Sequence, residues 1–243
     1  MGTYDLSDFS LSDMTLCGRE LRRLGSGARS MEETAERIVR YFREHLRPAA
    51  DGDPECALVR FFLTVPYGEL EPELQSFART IVGDADIGPG MRCLTLLATA
   101  GDEPAWNSRR TSVGHRTLPL VSEESIARSP MIAQLMRQFG IEVGTVIAPD
   151  PALIVDEEQH SYNVFHIPDA VGSPFIPAQR EFVLRFGICS VLGFGGLLPS
   201  GELFAVILFS KLNIPRQTAD LFKTLALNVK VALLPFLGGR RFA

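Results

Sequence analysis

The chain has 243 residues, of which 46% are hydrophobic and 22% charged, and its formal net charge is −5. This length suits one large domain, and the hydrophobic fraction is ample for a buried core. The mildly acidic charge argues against a nucleic-acid-binding surface, which usually shows an excess of basic residues. We therefore expect a single domain over residues 1–243 that has no nucleic-acid partner.

The lack of a recognisable targeting signal and the spacing of the cysteines both predict a cytoplasmic protein. The N-terminus is polar and acidic, unlike a signal peptide, and no segment reaches the ~18 uninterrupted apolar residues of a membrane span. The four cysteines, Cys17, Cys56, Cys93 and Cys189, are far apart and form no CxxC pair. Because this is not the spacing of a secreted disulfide scaffold, we expect a reduced, cytoplasmic protein with no membrane partner.

Helical spacing of apolar residues predicts two helices in the N-terminal segment, residues 1–47. The first covers residues 11–24 and is stopped by the glycines that follow. The second begins at Ser30, three residues before Glu33, which is the spacing of a capping box. Both helices would pack an apolar stripe on the rest of the domain.

A sheet and a lid are predicted over residues 55–211, and a long closing helix over residues 215–237. Apolar, β-branched runs between turn residues indicate strands, and the lid has little periodicity apart from a helical pattern near its end. Short helices are expected at 72–82 and 177–187. The predicted strands are 56–63, 92–101, 143–148, 152–156, 162–167, 190–194 and 203–209.

This order of elements predicts an α+β fold, with a central antiparallel sheet of about six strands, helices packed on it, and long N- and C-terminal helices. Phe222 and Val229 belong to one apolar stripe of the closing helix, and further leucines lie off that stripe. The second apolar set favours a homodimer through this helix, and we expect Phe222→Glu or Val229→Glu to give monomers. Burial of both sets within one large chain is the alternative.

The stretch "FGICSVLGFGGLLPSGELFAVILFSK", followed by "IPRQTADLFKTLALNVKVALL", has a specific pattern. A short helix ends at Gly187, a strand follows, residues 199–202 form a turn, a second strand comes next, and Pro215 opens the closing helix. This pattern resembles the C-terminal half of a GAF domain. The resemblance covers the C-terminal part of the chain well and the rest through element order, and it concerns packing more than function.

The resemblance is nearest to sensory GAF-like regions that precede histidine-kinase modules in bacterial sensors. It implies a non-catalytic domain of a two-component system that binds a small molecule or cofactor between its sheet and a lid, here residues 102–142 and 157–176. It also implies that a homodimer transmits the signal through its terminal helices to a histidine kinase or another output module. No kinase module follows here, which leaves a sensory fragment and a stand-alone protein as alternatives.

The sequence lacks the motifs of several specific activities. No asparagine precedes a lysine, as in cyclic-nucleotide-binding GAF domains, and no cysteine lies beside a histidine, as in bilin-binding ones. GxSxG, the phosphate-binding loop and a dinucleotide-binding GxGxxG are absent, so we predict no catalytic residues. The alternative is a small thiol-dependent redox enzyme on the same fold, resembling methionine sulfoxide reductase, with Cys93 or Cys189 as its thiolate.

Six residues are candidates for ligand binding. Arginine guanidinium groups and a tryptophan ring suit an anionic or planar ligand, although the arginines could equally pair with Glu123 and Glu124. Either histidine could ligate haem iron. The alternative is that His166 is a partly buried residue with its hydrogen bonds satisfied and that His115 lies at the surface. No metal cluster is predicted, and the ligand stays unidentified. The candidates are Trp106, Arg109, Arg110, His115, His166 and Phe194, with His115 and His166 as the haem ligands.

Overall fold

A computed structural model of the chain describes residues 2–83, 87–148 and 163–243. The described strands form one antiparallel sheet in the order β3-β2-β1-β6-β5-β4. Each pair of neighbouring strands is also consecutive in the sequence, except the central pair β1 and β6. The six strands are β1 Cys56–Pro66, β2 Arg92–Gly101, β3 Thr117–Pro119, β4 Val164–Ile167, β5 Ser190–Leu197 and β6 Leu203–Ser210.

Seven α-helices flank this sheet within the described ranges, together with a π-helical turn at Gln179–Leu184. Ser10 caps the first helix by accepting a hydrogen bond from the Asp13 N–H at 3.2 Å. Ser30 caps the second in the same way, but the Glu33 carboxylate binds arginines instead of completing a capping box. The helices are α1 Leu11–Arg23, α2 Met31–His45, α3 Pro72–Val82, α4 Glu123–Ala127, α5 Pro130–Phe139, α6 Val143–Ile147 and α7 Arg216–Leu233.

The sheet is buried on both faces, and the alternation of side chains along β1 separates two layers of core. Val59 and Phe61 belong to the core between the sheet and α1, α2 and α7. Leu58 and Phe62 point to the opposite face, where they join the core formed with α4, α5, α6 and the π-helical turn. We call these two faces the helix face and the lid face.

Close contact of helices and aromatic rings holds the helix layer together. A Cβ atom at Gly25, just after α1, would overlap the backbone carbonyl oxygen of Ala232 on α7, so only glycine permits this approach. On the helix face, the Phe194 ring of β5 packs on Phe42 and Phe222, with centroid distances of 5.5 and 5.3 Å. Edge and tilted ring pairs of this kind add to the stabilisation from burial alone.

The α+β architecture with a six-stranded antiparallel sheet is confirmed. The strand predicted at 143–148 is wrong, because these residues form α6, whose turn is closed by the Ala148 N–H donating to the Gly144 carbonyl at 2.9 Å. Its β-branched residues favoured a strand, but Val146 is buried in the lid-face core from a helix.

Two further differences concern the edges of the sheet. The short edge strand β3 lies inside the predicted lid, where a three-residue strand ending in proline leaves too weak a pattern to recognise. The predicted strand 162–167 is present as β4, whereas the predicted strand 152–156 lies outside the described residues. In the part of the chain that is described, no helix is long and apolar enough to cross a membrane.

Candidate ligand-binding cavity

A cavity of about 540 Å³ lies between the lid face of the sheet and the lid. Its floor comes from the two central strands, with Leu58 and Phe62 of β1 beside Ala205, Ile207 and Phe209 of β6. These residues reach one face because they alternate along each strand. The stretch 186–211 therefore contributes to the cavity floor through its second strand.

The lid and the segment around the π-helical turn form an aromatic and aliphatic wall. Trp106 packs on Phe186 with a centroid distance of 4.5 Å, and Phe182 of the π-helical turn packs on Phe209 at 5.0 Å. Met131 and Leu135 of α5 line the same space. Such walls bind the apolar body of a ligand with little directional preference, so orientation depends on the few polar groups present.

Arg60 is the charged residue of the cavity floor. It lies on β1 between Leu58 and Phe62, and only 8% of its surface is exposed. Its Nη2 donates a hydrogen bond to the Ser112 hydroxyl at 3.2 Å, while its buried Nε has no hydrogen-bond partner among the described residues. Burial in this apolar site lowers the pKa of Arg60 to about 10.

Thr99 adds a second unsatisfied polar group beside this arginine. It lies directly opposite Arg60 in the β1–β2 ladder, so both side chains emerge on the lid face. The Thr99 hydroxyl is buried and makes no hydrogen bond with any described residue. Two adjacent buried groups without partners are unusual in a folded protein, where buried polar atoms are nearly always hydrogen-bonded.

The rim of the cavity carries His115 and Arg128, each with only part of its surface exposed to solvent. His115 has a φ of 45° and follows Gly114, so two successive residues adopt the left-handed conformation. That conformation is costly for a residue with a side chain and is common at functional sites. The pKa of His115 is lowered, first by desolvation within the rim and second by the positive charge of Arg60.

Two of the predicted ligand-binding residues, Trp106 and His115, line the cavity, and the predicted arginines do not. Arg109 is buried in ion pairs with Glu32 and with Glu71, the latter at 2.8 Å, and Arg110 pairs with Glu71 at the surface. The alternative partners from the lid, Glu123 and Glu124, are not those that the structure gives to these arginines. Arg109 therefore connects the lid to α2 and to the start of α3, and Arg110 connects the lid to the start of α3.

The other two predicted residues, His166 and Phe194, face away from the cavity. Phe194 belongs to the helix-face core. His166 is buried, and its Nε2 lies 3.0 Å from the Ile214 carbonyl oxygen, so Nε2 carries the proton because a carbonyl can only accept. Burial is the main reason that the pKa of His166 is lowered. Of the two haem candidates, only His115 is placed where it could reach a ligand in the cavity.

The cysteines are placed away from the cavity lining that the structure describes. Cys17 and Cys56 are fully buried, and burial raises the pKa of each thiol to about 12. Cys93 is also buried, with its pKa raised to about 11 for the same reason. Cys189 is half-buried, and its thiol donates to the Gly187 carbonyl. Since the thiolate is the reactive form, the three buried cysteines are poorly suited to redox catalysis.

Arg60 and Thr99 were not among the residues predicted from sequence. Arg60 is the charged residue within the apolar run "CALVRFFL", and Thr99 interrupts "RCLTLLATAG". A lone charge inside a strand that is buried on both faces is the signal that would have identified Arg60, because such a residue needs a partner or a ligand.

No family model and no curated protein matches the chain. Among the solved structures that are similar to it, two are similar over most of its length. One is the GAF domain of a phosphoenolpyruvate-protein phosphotransferase from Coxiella burnetii, with 13% identity, 93% of this chain and 96% of that chain covered, and a TM-score of 0.44. The other is the chromophore-binding domain of an unusual bacteriophytochrome from R. palustris, with 10% identity, 95% of this chain and 64% of that chain covered, and a TM-score of 0.41.

The chain has an α+β fold that contains the elements on which the resemblance to a GAF domain was based. The short helix, strand, turn, strand and closing helix on which the resemblance was based are present as the π-helical turn, β5, β6 and α7. Helices α1, α2 and α7 lie on one face of the six-stranded sheet, and α4, α5, α6 and the π-helical turn lie on the other. At these levels of identity, neither solved structure transfers a ligand, an activity or the role of a residue to this chain.

Proposed function

We propose that the chain is a sensory domain that binds a small molecule in the cavity between the sheet and the lid. The observation that supports this most is the cavity itself, because about 540 Å³ lies within the range of small-molecule sites in proteins. Apolar walls and a few polar groups, among them Arg60 and His115, are the usual composition of such a site.

Occupancy of the cavity would be transmitted through the central strands. Leu58 and Phe62 contact the cavity, while Val59 and Phe61, their neighbours on β1, pack in the core with the helices. Because packed cores respond to displacement as units, a shift of β1 would move α1, α2 and α7. We place this domain in a bacterial two-component system, with a histidine kinase or another output module as its partner.

The dimer in this proposal forms through a short exposed apolar seam at the C-terminal end of α7. Leu227, Val231 and Leu234 are 44%, 46% and 40% exposed, and they follow the alternating three-four spacing of a coiled-coil contact. An apolar seam of this kind can pair with its own copy about a two-fold axis. Phe222 and Val229, which the sequence suggested as the dimer face, are instead fully buried within the chain.

The test of binding uses N-phenyl-1-naphthylamine, an uncharged apolar dye that fluoresces when it leaves water. We expect saturable binding of one dye per chain. Ala205→Phe places a ring inside the cavity and should abolish this binding, whereas Val171→Phe adds the same ring at an exposed position that does not line it. Absence of saturable binding, or equal binding by Ala205→Phe in a folded state, would refute the proposal.

The haem hypothesis is tested by an absorption spectrum and native mass spectrum of the protein as purified from cells. If haem is the cofactor, a Soret band and a bound mass are expected. Both should be lost in His115→Ala, whose side chain is at the cavity rim, and retained in His166→Ala, whose ring bonds to Ile214. A colourless protein without the bound mass would leave an uncoloured metabolite as the ligand and remove the haem hypothesis.

A further inference from the structure

The state of Arg60 contrasts with that of the other buried arginine in the lid region. Arg109, 6% exposed, is neutralised by two carboxylates, those of Glu32 and Glu71. Within the described ranges, Arg60, 8% exposed, makes one hydrogen bond, to the neutral Ser112, and its Nε has no partner. Among these residues, the fold therefore provides acidic partners for one buried guanidinium and none for the other.

The groups around Arg60 share one electrostatic character. The described residues that line the cavity include no aspartate and no glutamate. The other ionisable side chains among them are His115 and Arg128, both of which are neutral or positive. Thr99, opposite Arg60 on β2, has a buried hydroxyl with no hydrogen-bond partner among the described residues. In the part of the chain that the structure describes, every polar side chain that lines the cavity can donate a hydrogen bond.

We propose that the ligand of this cavity is an amphipathic anion, with an aromatic or aliphatic body and one oxyanion head group such as a carboxylate. Arg60 binds the head group through its guanidinium, Thr99 donates to the same group, and the body lies against Phe62, Phe209 and Trp106. This inference rests on the proposed function, since it names the chemical class of molecule that the same cavity takes.

Physical chemistry favours this class over a neutral ligand. An unpaired charge in an apolar site is costly, and a bound oxyanion removes that cost by forming charge-assisted hydrogen bonds. The apolar walls make each such bond stronger than it is in water. A neutral ligand would fill the space but leave the Arg60 charge without a counter-charge, so it would bind less well than an anion of the same shape.

A matched pair of dyes tests the inference. 8-Anilinonaphthalene-1-sulfonate and N-phenyl-1-naphthylamine have the same ring system and differ in the sulfonate. We expect wild-type protein to bind the sulfonate dye at least about tenfold more tightly than the neutral dye, and Arg60→Met to weaken the sulfonate dye about tenfold to a hundredfold. The affinity of the neutral dye should change less than about threefold. Circular dichroism verifies that each variant is folded.

Three variants separate this from a general effect of charge or of folding. Arg19→Met removes an exposed arginine of α1, 56% exposed in its side chain, and should leave both affinities unchanged. Arg60→Lys keeps the charge and should retain part of the preference for the sulfonate, which provides a reading even if Arg60→Met does not fold. Thr99→Val should weaken the sulfonate dye to a smaller extent than Arg60→Met.

The outcomes also distinguish the inference from the function on which it rests. If the neutral dye binds in the cavity and the sulfonate dye binds no better, the cavity is a small-molecule site and the anion inference is wrong. Equal loss of sulfonate binding in Arg19→Met and Arg60→Met would likewise overturn it, since the effect would then be one of net charge. If neither dye binds, the proposed function itself fails.

Discussion

Arg60→Met replaces the buried guanidinium by an unbranched apolar side chain, and the structure gives the expected sign of its effect on stability. Burial lowers the pKa of Arg60 from 12.5 to about 10. At 1.36 kcal/mol per pH unit, this lowering corresponds to about 3 kcal/mol of unfavourable free energy for the charged form in the folded state. Loss of the hydrogen bond to Ser112 costs about 1 kcal/mol in return.

The variant should therefore be more stable than the wild type by about 2 kcal/mol at pH 7 in the absence of ligand, which corresponds to about 4–8 °C in the midpoint of thermal unfolding. Urea unfolding followed by circular dichroism measures this free energy, with Arg19→Met as the control that should leave it unchanged. A free energy of unfolding equal to or below that of the wild type would refute the reasoning, because it would make Arg60 a structural residue. A charge that is retained at a cost to stability is expected where it serves binding.

The remaining predictions concern the rest of the fold. Burial raises the pKa of Glu55 from 4.5 to about 7, so stability that is full below pH 4.5 should fall by about 3 kcal/mol as the pH rises through 7. Urea titrations from pH 5 to 8 should show this loss in the wild type and not in Glu55→Gln, and parallel curves would contradict it. Glu32→Gln leaves the buried Arg109 charge under-compensated and should lower the free energy of unfolding by about 3–5 kcal/mol. Urea unfolding measures this change, and a decrease below about 1 kcal/mol would argue against a buried ion pair. Leu227→Glu should produce folded monomers, as measured by analytical ultracentrifugation. Phe222→Glu, at a fully buried position, should instead unfold the chain. A monomeric wild type would exclude the dimer.

The architecture could be predicted from the sequence because strands and helices produce regular patterns of apolar and turn residues. The C-terminal strands and closing helix carry long apolar runs with turn residues between them, and the structure has β5, β6 and α7 at these positions. Residues 143–147 were assigned to a strand because β-branched residues dominate there, but packing against the lid-face core decides for a helix. Propensity is a weak guide where tertiary packing opposes it.

The site was harder to predict than the fold, for a physical reason. The central strands are buried on both faces, so the apolar and polar alternation that reveals which face a residue occupies is absent. Phe194 was therefore assigned to the cavity although it packs on the helix face. Trp106 and His115 were found because their residue types stand out in an irregular segment. Arg60 was missed although a lone charge in a buried strand is a signal, because the sequence does not show that its Nε lacks a partner among the described residues.

The most direct test of the central claim, that the cavity binds a small molecule, uses the intrinsic fluorescence of the protein. Trp106 is the only tryptophan of the sequence, and it lines the cavity. Titration with N-phenyl-1-naphthylamine should quench Trp106 emission by energy transfer, in a saturable manner with one dye per chain, and Ala205→Phe should abolish the quenching. Dye binding that leaves Trp106 emission unchanged, or that persists in Ala205→Phe, would place the binding site elsewhere and contradict the account.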